Sequence, residues 1–337
     1  MLAQHSPENF ERFAMMRAFS AEAGRLKPLD AGADMVAQAV WIDLFSPSSA
    51  EEAELERQIK VDIPTREEME EIEISSRLYT EDGASFMTAI LPANADGDDV
   101  DMHPVTFVLT ASHLITVRYH EPRAFRTFPV RAEKVAMGCD TAESVLIALL
   151  EAVVDRLADI LERAGRDIDG ISRSIFLKRS GKPTKSVDLQ NTIEAIGRKG
   201  DLTSNIRDSL VTLERLAGFL GNATLQHKSG RDARERVKTL SRDIRSLADH
   251  AGFLSQKITF LLDATLGMIN IEQNAIIKIF SVAAVVFLPP TLIASIYGMN
   301  FERMPELKWL LGYPFAIGLM IASAILPYVY FKRRGWL

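Results

Sequence analysis

The stretch "IFSVAAVVFLPPTLIASIYGMNF", Ile279 to Phe301, holds no charged residue, and neither does "WLLGYPFAIGLMIASAILPYVYF", Trp309 to Phe331. Each is about as long as a helix must be to cross a hydrocarbon layer of roughly 30 Å. The alternative is a pair of helices buried in a large soluble core, but such helices rarely run this long without a charge. Aromatic residues also gather at the segment ends. Tyr297, Phe301, Trp309 and Tyr313 mark one side, and Tyr328, Tyr330, Phe331 and Trp336 the other, as interfacial belts require. The connecting loop sets Glu302 and Glu306 against Arg303 and Lys308, whereas Lys332, Arg333 and Arg334 directly follow the second segment. Positive residues favour the cytoplasmic side, so both termini are expected inside and the loop outside.

Charge elsewhere is dense. The 337 residues are 47% hydrophobic and 25% charged, but the charges concentrate before Glu272. A net charge of −6 argues against a nucleic-acid partner, which calls for a basic field. The single Cys139 excludes an intramolecular disulfide framework and a cysteine-based zinc site, and fits a reducing compartment. "MLAQHSPENFERFAMMRAF" at the N-terminus has acidic residues and no apolar core, so it does not read as a secretory signal.

Upstream of the first apolar segment the chain has no proline between Pro183 and Pro289. Val237, Leu240, Ile244, Leu247, Ala251, Leu254, Ile258, Leu261, Thr265 and Met268 recur at alternating spacings of three and four, a heptad seam. If Arg231 to Ile296 is one helix, it is roughly 100 Å long. A helical hairpin packed on itself would show the same seam. From Asn274 onward, Asn274, Ile277, Ser281, Ala284, Leu288, Thr291 and Ser295 keep the spacing and share a face, with Phe280 beside it. Small and polar residues in a row suit a span that lines a shared axis, or one that packs tightly on another helix. Periodicity does not choose between these. Pro289 and Pro290 should bend the helix or free a carbonyl near midspan.

The fold class expected is an α+β cytosolic domain, an α/β sandwich plus helices, followed by a very long stalk helix and two C-terminal transmembrane helices. "MVAQAVWIDLFSPSSAEEAELERQI" reads as a strand, a turn and a helix begun at Ser48 or Ser49 with Glu51 and Glu52 in its first turn. "SFMTAILPA", "VTFVLTASHLITVRYHE" and "RTFPV" are β-rich, with "TASH" suited to a hairpin. From Thr141 to about Leu225 helical patterning dominates, with "RSGKPTKS" as the connection within it. The organisation expected is an α/β domain over 1–140, helices over 141–230, and a stalk helix over 231–296 whose span begins near 276. An outer loop over 297–312, a second span over 313–331 and a basic cytosolic tail over 332–337 complete it.

No catalytic set emerges, so an enzyme is not expected. His113 and His120 fall in the hairpin region and read as packing or surface residues. "GRKGD" lacks the glycine-lysine arrangement of a phosphate loop, so no nucleotide is expected. "REEMEEIEI" (Glu67, Glu68, Glu70, Glu71, Glu73) is the densest acidic run: either a solvated helix face or a divalent-cation site between subunits. "ADGDDVD" lacks the terminal bidentate Glu of a calcium loop.

"YGMNF", Tyr297 to Phe301, with "INIEQNAIIKIFSVAAVVFLPPTLIASIYGMN", "MPELKW" and the terminal "YFKRRGWL", resembles the CorA magnesium transporter family, in particular its bacterial magnesium/cobalt members. The specific match covers about Arg242 to Leu337. The resemblance implies a homopentameric funnel in the bacterial inner membrane, with Gly298, Met299 and Asn300 as selectivity motif and Asn300 at the outer mouth. It implies Mg2+ as cargo and regulator, with Co2+, and also Ni2+, as further cargo. Zinc-transporting relatives often carry Ile in the middle of the triplet, so Met299 favours the magnesium branch over a Zn2+, Co2+ or Ni2+ carrier. Ser295 departs from the Gly found in many members. Regulatory carboxylates between subunits have Glu67 to Glu73 and Asp243 as candidates here.

On this reading five Asn300 side chains offer acceptors to the outward-pointing hydrogens of hydrated Mg2+. Thr291, Ser281 and Asn274 would add acceptor rings, and Leu288, Ile277 and Phe280 apolar constrictions. Glu302 and Glu306 would concentrate cations at the mouth. In a different class, a membrane-anchored cation sensor would need neither the polar ladder nor the Gly/Asn-bearing loop.

Overall fold

The computed structural model describes residues 15–30, 32, 34–97, 100–177, 186–226, 230–299, 304–305 and 309–335. Seven strands form one sheet: β1 (Met15–Glu22), β2 (Arg25–Leu29), β3 (Trp41–Phe45), β4 (Leu78–Glu81), β5 (Ala84–Ala93), β6 (Asp101–Leu109) and β7 (Leu114–Arg118). Their order is β2-β1-β3-β7-β6-β5-β4, antiparallel throughout except for the parallel pair β3–β7. The "TASH" hairpin joins β6 to β7, closed by Thr110 N–H donating to the His113 carbonyl at 2.9 Å. All five residues of β7 are buried, and "LITVR" alternates between Ile115 and Val117 on one face and Thr116 and Arg118 on the other.

Period two sorts the strand residues between two layers. Ile42, Leu44, Ile115, Val117 and Val108 pack with Val36 of α1 (Met35–Gln38), Leu55 of α2 (Ser49–Ile59) and Met69 of α3 (Arg66–Glu70). A short α4 (Ile74–Arg77) leads into β4. The alternate residues face α5 (Arg123–Lys134): Trp41 stacks on Phe19 at 4.8 Å and meets Phe128 at 5.7 Å. Ser48 caps α2 in a capping box with Glu51, matching the expected helix start.

"RTFPV" is helix and not strand, a correction to the sequence reading. Phe125, Phe128, Pro129 and Ala132 of α5 are buried at spacings of three and four. A short window of β-formers is overridden by this longer helical period. Pro129 lies inside this helix, so the Phe125 carbonyl loses its ordinary helical donor.

Asp43 sits in the α5-facing layer, fully buried among charges. It accepts hydrogen bonds from Arg118 Nε and Nη2, both at 3.0 Å, from Thr116 Oγ1 at 2.8 Å, and from Arg17 Nη2 at 2.5 Å. Trp41 Nε1 donates to the same threonine oxygen at 3.0 Å. Arg118 is 1% exposed and its guanidinium lies 4.5 Å from the Phe45 ring centre. Burial alone would raise the Asp43 carboxyl, but Arg118 and then Arg17 hold it below the usual carboxylate range.

Three long helices follow: α6 (Ala142–Leu177), α7 (Ser186–Gln226) and α8 (Arg231–Tyr297); α9 (Gly312–Arg333) ends the described fold. The connection expected over "RSGKPTKS" lies almost wholly outside the described residues. α6 packs on α5 and reaches β6 and β7. The chain divides into two compact units, Met1–Lys182 with Thr192–Leu261, and Pro183–Asn191 with Leu262–Leu337.

Replacing Asp43 with Ala strands a buried guanidinium and should cost about 3–5 kcal/mol of stability, read by chemical denaturation. Because its folded pKa is depressed, the stabilisation by Asp43 is present above about pH 4 and is lost as pH falls through the folded value. An acid titration of the Asp43→Asn chain should therefore lack that component.

Candidate pore segment

The seam of α8 has two fates along its length. In the first unit Val237, Leu240, Ile244, Ala251, Leu254 and Leu261 are buried. They pack within the chain: Val237 lies against Gly221 of α7, Leu254 against Gly165 of α6 and Ile258 against Gly200 of α7. Arg236 holds Glu151 of α6 through two hydrogen bonds at 3.0 and 2.7 Å, and Lys257 pairs with Asp169 of the same helix. These partners, 85 and 88 residues apart in the chain, carry no sequence signal. The helix nevertheless runs unbroken over its 67 residues, so the single-rod reading holds and the helices beside it cover the seam.

In the second unit α8 and α9 contain windows long and apolar enough to cross a membrane, and only 6% of each window is buried. A core helix of a soluble protein would bury most of such a window, so the buried-core alternative fails. The shielded residues of α8 in this stretch are Val282, Ala283, Val286, Pro289, Pro290, Ile293 and Tyr297. Asn274, Ile277, Phe280, Ser281, Ala284, Leu288, Thr291 and Ser295 are all exposed in the single chain. At about 100° per residue the two sets point in roughly opposite directions. The polar and small stripe is therefore not the face this chain covers for itself.

Within the stripe the Thr291 hydroxyl donates to the Phe287 carbonyl at 2.7 Å, leaving its oxygen lone pairs free to accept. Pro289 and Pro290 lack amide hydrogens, so the carbonyls of Val285 and Val286 lose their ordinary helical donors. At the helix end, Gly298 N–H donates to the Ala294 carbonyl at 3.0 Å and Met299 N–H to that of Ile296 at 3.2 Å. A Cβ on Gly298 would come within 3.2 Å of the Ala294 oxygen, a close approach that only glycine makes without displacement. Asn300, Glu302 and Glu306 lie outside the described residues.

The acidic run is partly committed locally. Glu68 closes a capping box with Thr65, and Glu70 accepts from Arg66 Nε at 3.1 Å. Glu67, Glu71 and Glu73 are exposed. Asp243 lies on α8, where its charge, with that of Asp159 and Glu151, adds to burial in raising the Asp155 carboxyl, against the lowering effect of Arg131. Among the described residues no three His, Cys, Asp or Glu side chains form a group able to hold a metal ion.

A family model described as "CorA-like Mg2+ transporter protein" matches residues 36–333. The magnesium transport protein CorA of Mannheimia succiniciproducens is 37% identical over 96% of this chain and its own full length. Those of Yersinia pestis and Salmonella typhimurium are 38% and 39% identical over the same shares. The chain belongs to the CorA-like Mg2+ transporter family. Among solved structures, the CorA magnesium transporter of Methanocaldococcus jannaschii superposes with a TM-score of 0.72 at 19% identity, covering 96% of this chain and 99% of that one. The full-length CmaX protein gives 0.68 at 15% identity, covering 97% and 99%. These two carry the fold alone. The CorA-like family places α8 and α9 as C-terminal transmembrane helices, and its curated members are named transport proteins and not enzymes.

The two faces of α8 are separable by cross-linking. Burial pushes the Cys139 thiol up to about 11, so the native chain supplies an unreactive background. Under mild oxidation in membranes, Ser295→Cys chains should form disulfide-linked dimers on denaturing gels. Val282→Cys chains should remain monomeric; the reverse pattern would put the shared axis on the other face.

Proposed function

We propose that the chain imports divalent cations, chiefly Mg2+ with Co2+ and Ni2+ as lesser cargo, across the bacterial inner membrane as a channel-like homopentamer. Family membership over 36–333 carries this reading, and the exposed stripe of α8 supports it. A stripe that one chain leaves uncovered is what a pore shared among copies needs. In this assembly both termini are cytoplasmic, the loop from Tyr297 to Gly312 faces outward, and residues 332–337 form a basic inner tail.

Mg2+ binds its waters tightly and sheds them reluctantly. A ring of Asn300 carbonyl oxygens recognises the hydrated ion through those waters, without the strong attachment a carboxylate ring would impose. Conduction depends on such weak sites. Gly298 lets the chain turn beneath the ring, and Glu302 and Glu306 draw cations toward it. Below it, Thr291, Ser281 and Asn274 offer further acceptors between the apolar girdles of Leu288, Ile277 and Phe280. Ala284 and Ser295 keep the stripe narrow. The driving force is the membrane potential, roughly 4.6 kcal/mol per 100 mV for a divalent ion, at about 2.3 per charge.

Gating follows from cytosolic Mg2+ held between neighbouring chains. Glu67, Glu71, Glu73 and Asp243 are the carboxylates to carry it, since Glu68 and Glu70 serve α3 itself. A site divided between copies would be incomplete in one chain.

Asn300→Ala should abolish Mg2+ uptake into proteoliposomes while leaving the assembly intact on size-exclusion chromatography; undiminished uptake would remove the selectivity ring. A competition series with Co2+, Ni2+ and Zn2+ should leave Mg2+ preferred. Neutralising Glu67, Glu71, Glu73 and Asp243 should weaken inhibition by internal Mg2+ about tenfold or more. Normal inhibition in that variant would place the regulatory site elsewhere.

A further inference from the structure

Where the β5–β6 connection, the turn from β7 into α5 and the middle of α6 meet, the first unit forms an open cleft of about 810 Å3. That is ample for a small metabolite. Its charge is unevenly distributed. Asp96 accepts from Arg123 Nη1 at 2.8 Å, from Arg156 Nη2 at 2.6 Å and from Arg163, so three guanidinium groups share one carboxylate. Hydrogen bonds from Arg156 and Arg163 hold that carboxyl well below the usual range. The Arg156 side chain is only 15% exposed, so its shared neutralisation leaves a substantial unmet demand for negative charge. Arg126, one turn beyond Arg123, lines the same cleft and has no ion-pair partner among the described residues.

The helix start adds to this field. Pro122 stands at the α5 N-cap and provides no side-chain cap; Phe125 N–H donates to the Pro122 carbonyl at 2.9 Å, and the positive end of a 12-residue helix lies beside Arg123 and Arg126. The opposite wall sets the exposed carboxylates of Asp101 and Glu121 over a buried imidazole. His120 Nε2–H donates to the Leu91 carbonyl at 2.8 Å, which makes Nδ1 the acceptor nitrogen, and Nδ1 is buried with no partner among the described residues. Burial pushes this imidazole down to about 4, so it is neutral at neutral pH. Beside it His103 stands edge-on, ring centres 5.3 Å apart. Asp101 is engaged by Asn94 Nδ2 at 2.6 Å, and the exposed Glu121 is the remaining acid of the lining.

We propose that this cleft binds a small phosphate ester bearing hydroxyl groups, its phosphate held by Arg123, Arg126 and Arg156 and its hydroxyls directed to the Asp101 and Glu121 carboxylates. Arginine forks match phosphate oxygens in pairs, while the carboxylates accept from hydroxyls. None of these residues belongs to the pore stripe or to the acidic run, so the site is separate from the transport proposal and stands without it.

The test is calorimetric titration of the detergent-solubilised full chain in metal-free buffer. Glucose 6-phosphate should bind saturably near one per chain, inorganic phosphate should displace it, and glucose alone should not bind. Arg126→Ala, at an exposed position without an ion pair, should weaken binding about tenfold with an unchanged melting temperature, and Arg126→Glu should abolish it. No saturable binding at millimolar glucose 6-phosphate, binding equally strong for glucose, or binding indifferent to both Arg126 variants would overturn the proposal.

Discussion

In hydrocarbon an unpaired backbone amide or carbonyl costs several kcal/mol, and no water is present to relieve it. α8 meets that constraint by remaining helical through the whole of its apolar stretch. The same constraint explains where regularity ends. Gly298 and Met299 leave the helix near the end of the uncharged segment, making short contacts back to Ala294 and Ile296. Irregular backbone is tolerated where water or a pore can satisfy it, and the Gly298-Met299-Asn300 segment begins at that boundary. Inside the span, Pro289 and Pro290 are the local exception. Two adjacent carbonyls freed near midspan are polar groups that need either a neighbouring chain or an aqueous axis.

Charge is handled in opposite ways in the two units. In the sheet, Asp43 and Arg118 are buried together, with Arg118, Arg17 and Thr116 all donating to the carboxylate, an arrangement that holds one geometry. Along α8 beyond Lys278 no ionised side chain occurs, and the side-chain oxygens belong to Ser281, Thr291, Ser295 and Tyr297. Tight ionic binding suits a scaffold, whereas passage of an ion suits many weak neutral contacts. Strong electrostatics thus stays with the sheet and its helices, and the span keeps hydroxyls.

Periodicity carried much of this architecture into plain view. The apolar segments, the seam from Val237 to Leu261, the Ser48 cap and the "TASH" hairpin are local patterns, and each is set by neighbours a few residues away. "RTFPV" misled because five residues are too few to separate β propensity from an amphipathic turn; Phe125, Phe128 and Ala132 only declare a helix over a longer window. Contacts between distant positions were invisible. Asp43 with Arg118, Arg236 with Glu151, and Asp96 with Arg156 are separated by 60 to 85 residues and belong to no motif. Of the candidate site, the stripe from Asn274 to Ser295 was legible because helical spacing alone defines a face. The ion-selecting role proposed for Asn300 comes only through family resemblance, since one amide side chain has no signature of its own.

The central claim is passive conduction of a hydrated divalent ion, and it is tested most directly by Mg2+ flux into proteoliposomes under imposed potentials, with no nucleotide present. Uptake should rise steeply as the interior is made negative and should reverse when the potential opposes and exceeds the concentration gradient, as a charge of two requires. Uptake that ignores the potential, or that proceeds only when a nucleotide is supplied, would contradict the account.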